Sequence, residues 1–177
     1  MTVVVFSLGA NLGDRLAQLQ AAVEGLRAHR VSHVYETPPW GDPDQPAYLN
    51  AVAIAADPER GPRDWLELAR SLEERAGRVR DPDRRYGPRP LDVDLIDMRT
   101  DAGEPIVSDD PELTLPHPRA RWRAFVLVPW LELEPGAAVP GAGRATDLLT
   151  QPDVAHDAPG VRLRGDLRLR PVADFTR

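Results

Sequence analysis

The segment Leu91-Asp-Val-Asp-Leu95 alternates apolar and acidic residues with a period of two, the pattern of a strand buried on one face only. Val93 and Leu95 then face a core, and Asp92 and Asp94 share the other face, about 6.6 Å apart along the chain. Two adjacent carboxylates repel each other, and aspartate is depleted in strands. One explanation is a solvated or edge-protecting pair of charges; the other is a divalent cation. Magnesium takes oxygen ligands and usually combines one or two carboxylates with water and phosphate oxygens. The preceding stretch carries Arg78, Arg80, Arg84, Arg85 and Arg89, with Asp81 and Asp83 among them. Such a run suits a solvated, internally paired surface. It also suits a polyphosphate–magnesium complex, with guanidinium forks on the phosphate oxygens and the carboxylates on the metal.

Composition narrows the options. All 22 basic residues of the 177 are arginine, so a Walker-type phosphate loop, which needs its lysine, is excluded. The chain has no cysteine, which removes disulfides and thiolate metal sites. A net charge of −6 argues against a general nucleic-acid binder. Val3-Val-Val-Phe6 reads as a first strand rather than a signal peptide, and no apolar run reaches bilayer-spanning length. The expectation is a cytoplasmic monomer of one domain, 1–177, with residues 141–177 as a variable tail and neither membrane nor nucleic acid as partner.

Along the chain, Val3 to Leu8 is a buried strand and Gly9 to Asp14 a turn. A helix follows with Leu12, Leu16, Leu19, Val23 and Leu26 as its apolar stripe. Val31 to Thr37 is a second strand, stopped by Pro38-Pro39. Tyr48 to Ala56 is a third, with Tyr48, Asn50, Val52 and Ile54 on one face. Pro62 suits the first turn of a helix whose stripe is Trp65, Ala69, Leu72 and Ala76; Glu73 sits at its margin and Gly77 ends it. Leu91 to Met98 is the fourth strand, with Pro105 to Val107 a candidate neighbour. Between 116 and 133, Pro118 suits a helix start whereas Pro129 would kink a helix. Residues 161–170 alternate about Gly165-Asp166 as a small hairpin would. The order βαββαβ predicts an α+β fold: helices packed on an antiparallel sheet, with a helical or hairpin C-terminal extension.

Among single residues, Tyr48 and Asn50 are ordinary for a strand and its turn. Together they also supply an aromatic platform and an amide able to read the edge of a flat heterocycle. Phe125 belongs in a core by the burial habits of phenylalanine. His117 lies in the rigid sequence Leu113-Thr-Leu-Pro-His-Pro118.

Six segments in register, Ser7–Asp14, Tyr35–Gly41, Gln45–Asn50, Gly77–Arg80, Tyr86–Asp97 and Leu115–Pro118, resemble the 6-hydroxymethyl-7,8-dihydropterin pyrophosphokinases of folate biosynthesis. The resemblance covers about the first three-quarters of the chain. It implies a ferredoxin-like core and transfer of a pyrophosphoryl group from ATP to the pterin hydroxymethyl group, releasing AMP. On the same resemblance, Asp92 and Asp94 hold two Mg²⁺ ions, and Tyr48 and Phe125 sandwich the pterin. Asn50 bonds the pterin edge, and backbone groups of Thr37, Pro38 and Trp40 complete that pocket. Glu73, Arg80, Tyr86, Arg89, Leu95, Thr114, His117 and Arg123 surround ATP. Arg78 and Arg85, with Arg84 beside it, belong to a loop that closes over the site. Tyr86 stands where tryptophan can occur, and Pro118 removes a side-chain donor sometimes found after the histidine. Two other classes remain open: a non-catalytic nucleotide- or RNA-binding module, disfavoured by only 6% aromatic residues, and a kinase that transfers one phosphoryl group.

Overall fold

The computed structural model describes residues 1–39, 43–77, 82–83 and 88–172. The expectations for Trp40, Arg78, Arg80, Arg84, Arg85 and Tyr86 fall outside the described residues. The elements are β1 (Thr2–Ala10), α1 (Arg15–Gly25), β2 (Arg30–Val31), β3 (Tyr35–Thr37), β4 (Tyr48–Asp57), α2 (Pro62–Arg75), β5 (Asp92–Thr100), β6 (Ser108–Asp110) and β7 (Leu113–Leu115). They continue with α3 (Ala124–Leu133), β8 (Ala138–Val139), β9 (Gly143–Arg144), α4 (Ala145–Leu148), α5 (Pro152–Asp157) and β10 (Arg162–Leu163). The main sheet runs β10-β3-β4-β1-β5, with β2 also on β4, and every pairing in it is antiparallel. That is the ferredoxin-like order expected from βαββαβ.

Alternation along the central strands divides the core into two layers. Val4, Phe6, Leu8 and Ala10 of β1, Leu49, Ala51, Ala53 and Ala55 of β4, and Val93 and Leu95 of β5 pack with α1 and α2. The Phe6 and Trp65 rings meet edge to face in this layer, 5.7 Å apart. Val5, Val52, Ile54 and Ile96 face the other way and are covered by α3 with α4 and α5. The register shift between Val5 and Phe6 makes Ile96 an extra residue on β5, a bulge that reverses strand parity. Met98 therefore returns to the α1/α2 layer.

Local chemistry accounts for the differences from the sequence reading. The first helix begins only at Arg15, where the Asp14 side chain caps it by accepting from Ala17 N at 3.0 Å. Leu12 lies before it and is exposed. The second strand is broken in two because Ser32 substitutes its hydroxyl for a ladder carbonyl, accepting from Val52 N at 2.9 Å. Pro129 lies inside α3 without ending it; its missing N–H removes the donor that would reach the Phe125 carbonyl. Beside β5, Arg99 bridges Pro105 and Ile106 N reaches Met98 O at 2.8 Å, so the 105–107 segment does lie alongside. In the tail the turn at Gly165-Asp166 forms, but its arms do not pair with each other. Arg162–Leu163 joins the edge of the main sheet instead, and Val172 N ends on Ala28 O at 2.8 Å.

Candidate active site

α3 covers only one end of its sheet face. At the other end Ser7 and Gly9 of β1, Thr37 and Pro38 after β3, Tyr48 and Asn50 of β4, and Asp92 and Asp94 of β5 line a pocket with Arg89, Arg123 and Phe125. Nine residues singled out from the sequence thus share one wall. Asp92 and Asp94 both face this pocket, while Val93 and Leu95 are buried behind them.

Each carboxylate has an arginine beside it. Arg89 Nη1 donates to Asp92 Oδ1 at 3.2 Å, and Arg123 Nη1 to Asp94 Oδ2 at 3.4 Å. The Arg123 guanidinium also lies 5.4 Å from the Phe125 ring centre, within cation–π range. Asn50 Nδ2 donates to Thr37 Oγ1 at 2.6 Å, linking β4 to the end of β3. The pocket therefore has an acid–guanidinium end and an aromatic–amide end.

The remaining described sequence candidates, Glu73, Leu95, Thr114 and His117, do not line the pocket. Glu73 stands behind β5, where its Oε1 accepts from Val93 N at 3.0 Å. That fixes the backbone between the two aspartates from the side away from β1. His117 Nε2 is 3.9 Å from Asp94 Oδ2. Burial, aided by the charge of Arg123, pushes its pKa down to about 4, so the ring is neutral near pH 7. Its Nδ1 accepts from Arg119 N at 3.1 Å, which leaves the ring proton on Nε2, towards Asp94. Leu95 is buried in the α1/α2 layer. Thr114 lies on β7, its hydroxyl donating to Asp110 O at 3.1 Å.

Ser7, Gly9 and Asn11 were not singled out one by one from the sequence. Ser7 pairs with Asp94 and Gly9 with Asp92 across β1–β5. A Cβ on Gly9 would come within 3.1 Å of Asn50 Oδ1 and 3.5 Å of Tyr48 Cδ1, so glycine lets both side chains lie flat against β1. Asn11, buried beyond the strand end, donates through Nδ2 to Gln45 Oε1 at 2.8 Å and accepts through Oδ1 from Arg89 N at 2.8 Å. It joins the segments on both sides of the pocket. The available signal was a serine, a glycine and an asparagine at steps of two along an otherwise apolar strand.

Among the described residues no group of three or more His, Cys, Asp or Glu could hold a metal. Two carboxylates on one wall nevertheless suit magnesium, which completes its shell with water and phosphate oxygens. The residues fit an ion that arrives with a polyphosphate.

Fold and pocket together define an α+β protein whose pocket sets carboxylates and guanidinium groups at one end and aromatic rings with an amide at the other. A sequence model of the 7,8-dihydro-6-hydroxymethylpterin-pyrophosphokinase family matches residues 5–135. The chain belongs to this family. It is 48% identical over 172 residues to the 2-amino-4-hydroxy-6-hydroxymethyldihydropteridine pyrophosphokinase of Mycobacterium tuberculosis, covering 92% of this chain and 90% of the relative. The enzyme of the same name from Methylorubrum extorquens is 44% identical over 147 residues, covering 80% and 88%. Among solved structures, a Plasmodium falciparum HPPK-DHPS has a TM-score of 0.59 at 12% identity, covering 84% of this chain. The chain spans 43% of that structure's length, and the likeness concerns the fold.

Proposed function

We infer that this chain transfers the pyrophosphoryl group of ATP to the hydroxymethyl oxygen of 6-hydroxymethyl-7,8-dihydropterin, giving the pterin diphosphate and AMP. Family membership and the shared name of the relatives support the reaction. The observation that carries the assignment of residues is the two-ended pocket, with Asp92, Asp94, Arg89 and Arg123 at one end and Tyr48, Asn50 and Phe125 at the other.

In this reading the pterin lies between Tyr48 and Phe125, with its polar edge on Asn50 and against Thr37 and Pro38. Asn50, already bonded to Thr37, holds one orientation of its amide and so selects one edge of the ring. The hydroxymethyl oxygen then points along β4 and β1 towards the aspartates. It attacks the β-phosphorus; the bond from that phosphorus to the α–β bridging oxygen breaks, AMP leaves, and the hydroxyl proton passes to solvent. Arg89 and Arg123 offset charge on the phosphates, and positioning rather than a strong base does most of the work. Asp92 and Asp94 would hold two Mg²⁺ ions, which when bound neutralise phosphate charge. Glu73, His117, Leu95 and Thr114 belong with ATP in this assignment. His117, neutral with its proton on Nε2, donates without adding charge.

The protein acts as a monomer in this proposal. Among the described residues its exposed large apolar side chains, Met1, Leu12, Val107, Trp122 and Leu163, are scattered rather than gathered along one element. No described helix is long and apolar enough to cross a membrane; dependence on ATP supports a cytoplasmic setting. Product analysis with ATP, Mg²⁺ and the hydroxymethyl pterin should give AMP and pterin diphosphate in equal amounts. ADP as the stoichiometric product would replace the assignment with a single-phosphoryl kinase.

A further inference from the structure

The matched family region ends at residue 135, yet the chain after it packs on β3, the strand that leads into the pocket wall at Thr37 and Pro38. Arg162 pairs with Glu36 and Leu163 with Tyr35 across β10–β3, and Arg164 N donates to Val34 O at 2.8 Å. Gly160 lies so near Pro38 that a Cβ there would meet the proline ring at 3.4 Å. Asp157, Gly160 and Val161 share a second cavity with Thr37, Pro38, Arg123 and Phe125, all four of which also line the first.

β3 depends on such support. It is three residues long and pairs with β4 through Tyr35, Glu36 and Thr37 alone. A strand this short contributes little holding energy of its own, and without β10 its outer edge would be open. Alternation sends Tyr35 and Thr37 to the α3 side of the sheet. There Tyr35 OH donates to Glu132 Oε2 at 2.6 Å, and Thr37 meets Asn50. Glu36 points to the α1 side, away from the pocket. On that side Arg164 Nη1 lies 2.9 Å from its carboxylate, Arg162 Nη2 3.1 Å and Arg15 Nη1 3.5 Å. Arg15 also donates to Ala47 O at 2.9 Å, one residue before Tyr48. A single carboxylate thus ties together the tail, the first turn of α1 and the entry to β4.

We propose that Glu36 is a positioning residue for the pterin-side wall: together with Arg164 of the tail it holds β3, and thereby Thr37 and Pro38, in place without touching the ligand. This rests on the reading that the pterin lies against Thr37, Pro38 and Asn50. The Glu36 side chain is only 18% exposed, so its interactions are screened less than those of a surface pair. Arg162, at 70% exposed, adds little; Arg164, at 31%, adds more. Without the carboxylate, among the described residues, the Arg164 side chain keeps only Asp166 of its own turn and that of Arg15 only Ala47 O, so neither side chain any longer ties β3 to the tail or to α1.

Steady-state kinetics in both substrates test this with Glu36→Gln, Arg164→Gln, the double variant, and Asn50→Ala as reference. Glu36→Gln is expected to raise the pterin KM about fivefold, the upper range for partly exposed ion pairs. ATP KM and kcat should stay within about twofold of the parent. Arg164→Gln should give a smaller rise in the same direction. The double variant should raise the pterin KM no further than Glu36→Gln, because that change already removes the Glu36–Arg164 contact and the remaining Arg164–Asp166 pair lies within the tail's own turn. Arg164 lies near the surface, so its variant reads the contact in a chain whose folding is not at stake. An unchanged pterin KM in Asn50→Ala would overturn the placement of the pterin, and this proposal with it. A raised KM in Asn50→Ala alongside unchanged values in Glu36→Gln and Arg164→Gln overturns the brace alone. Equal losses in kcat and both KM values, the mark of a general structural defect, overturn it too.

Discussion

Asp92 and Asp94 stand at one end of β5 and Asp97 at the other, with the Ile96 bulge between them. Both ends place acids beside arginine. At the pocket end each carboxylate has a guanidinium at 3.2 or 3.4 Å and is about a quarter exposed. At the far end Asp97 and Glu134 share Arg99. Arg99 bonds closely to Glu134, and Asp97 is left 3.9 Å from it. Trp130 Nε1 adds a second bond to Glu134 at 2.9 Å. The hollow beside this cluster is lined by Gly103, Pro105, Gly136 and Ala137 among others, with no aromatic ring or side-chain amide. Acids next to arginine therefore do not by themselves distinguish a site from a structural clasp. The distinction lies in what lines the adjoining space.

The largest effect is expected at the pocket end. Asp94→Asn should lower turnover about a thousandfold while moving the melting temperature by no more than about 2 °C. AMP formation and a thermal melt check both. A variant that kept most of its turnover at limiting Mg²⁺ would remove Asp94 from the metal role and make the two ends of β5 alike.

The far end should respond in the opposite way. Glu134→Gln is expected to destabilise the fold by about 2 kcal/mol, because the remaining carbonyl oxygen serves Arg99 or Trp130 but not both, and the charge opposite Arg99 is lost. Its kcat should be unchanged. Burial alone would raise the Glu134 pKa, but the hydrogen bonds from Arg99 and Trp130 outweigh it and hold the carboxyl below the ordinary 4.5. The stabilisation is thus present above pH 4.5 and is lost as pH falls through the lower folded value. Denaturant melts of parent and variant should converge in acid. A turnover defect larger than the stability defect would break the comparison.

The pocket end was legible in the sequence because its signals are local. The period of two put Asp92 and Asp94 on one face and Val93 and Leu95 on the other, and the same rule aligned Tyr48 and Asn50 with Val52 and Ile54. Phe125 and Arg123 depend on how α3 crosses the sheet, which no local pattern states; resemblance supplied them. The far end was not legible at all. A period of two puts Asp97 on the face opposite Asp92 and Asp94; only the bulge at Ile96 returns it to theirs, and Glu134 joins it through Arg99, a contact distant in sequence. The tail misled for a related reason. Its alternation was real, but an open three-residue edge at β3 gave the strand a better partner than its own second arm.

Asp97→Asn should give the smallest effect and the opposite sign. Burial raises the Asp97 carboxyl above its ordinary 3.8, with the charge of Arg99 opposing and that of Glu134 adding. A raised carboxyl favours the fold below pH 3.8 and loses that advantage as pH rises through the folded value, so at pH 7 the ionised group is a burden. Asparagine keeps the shape without the charge. Little attraction is forfeited, because Arg99 is held by Glu134. Asp97→Asn is therefore expected to stabilise the protein at pH 7 by about 1 kcal/mol, with the gain vanishing towards pH 3.8. A loss of stability at pH 7 would mean that Arg99 serves both acids. The far cluster would then be an internally neutralised network of the same kind as the pocket end, and only the aromatic and amide lining would separate the two.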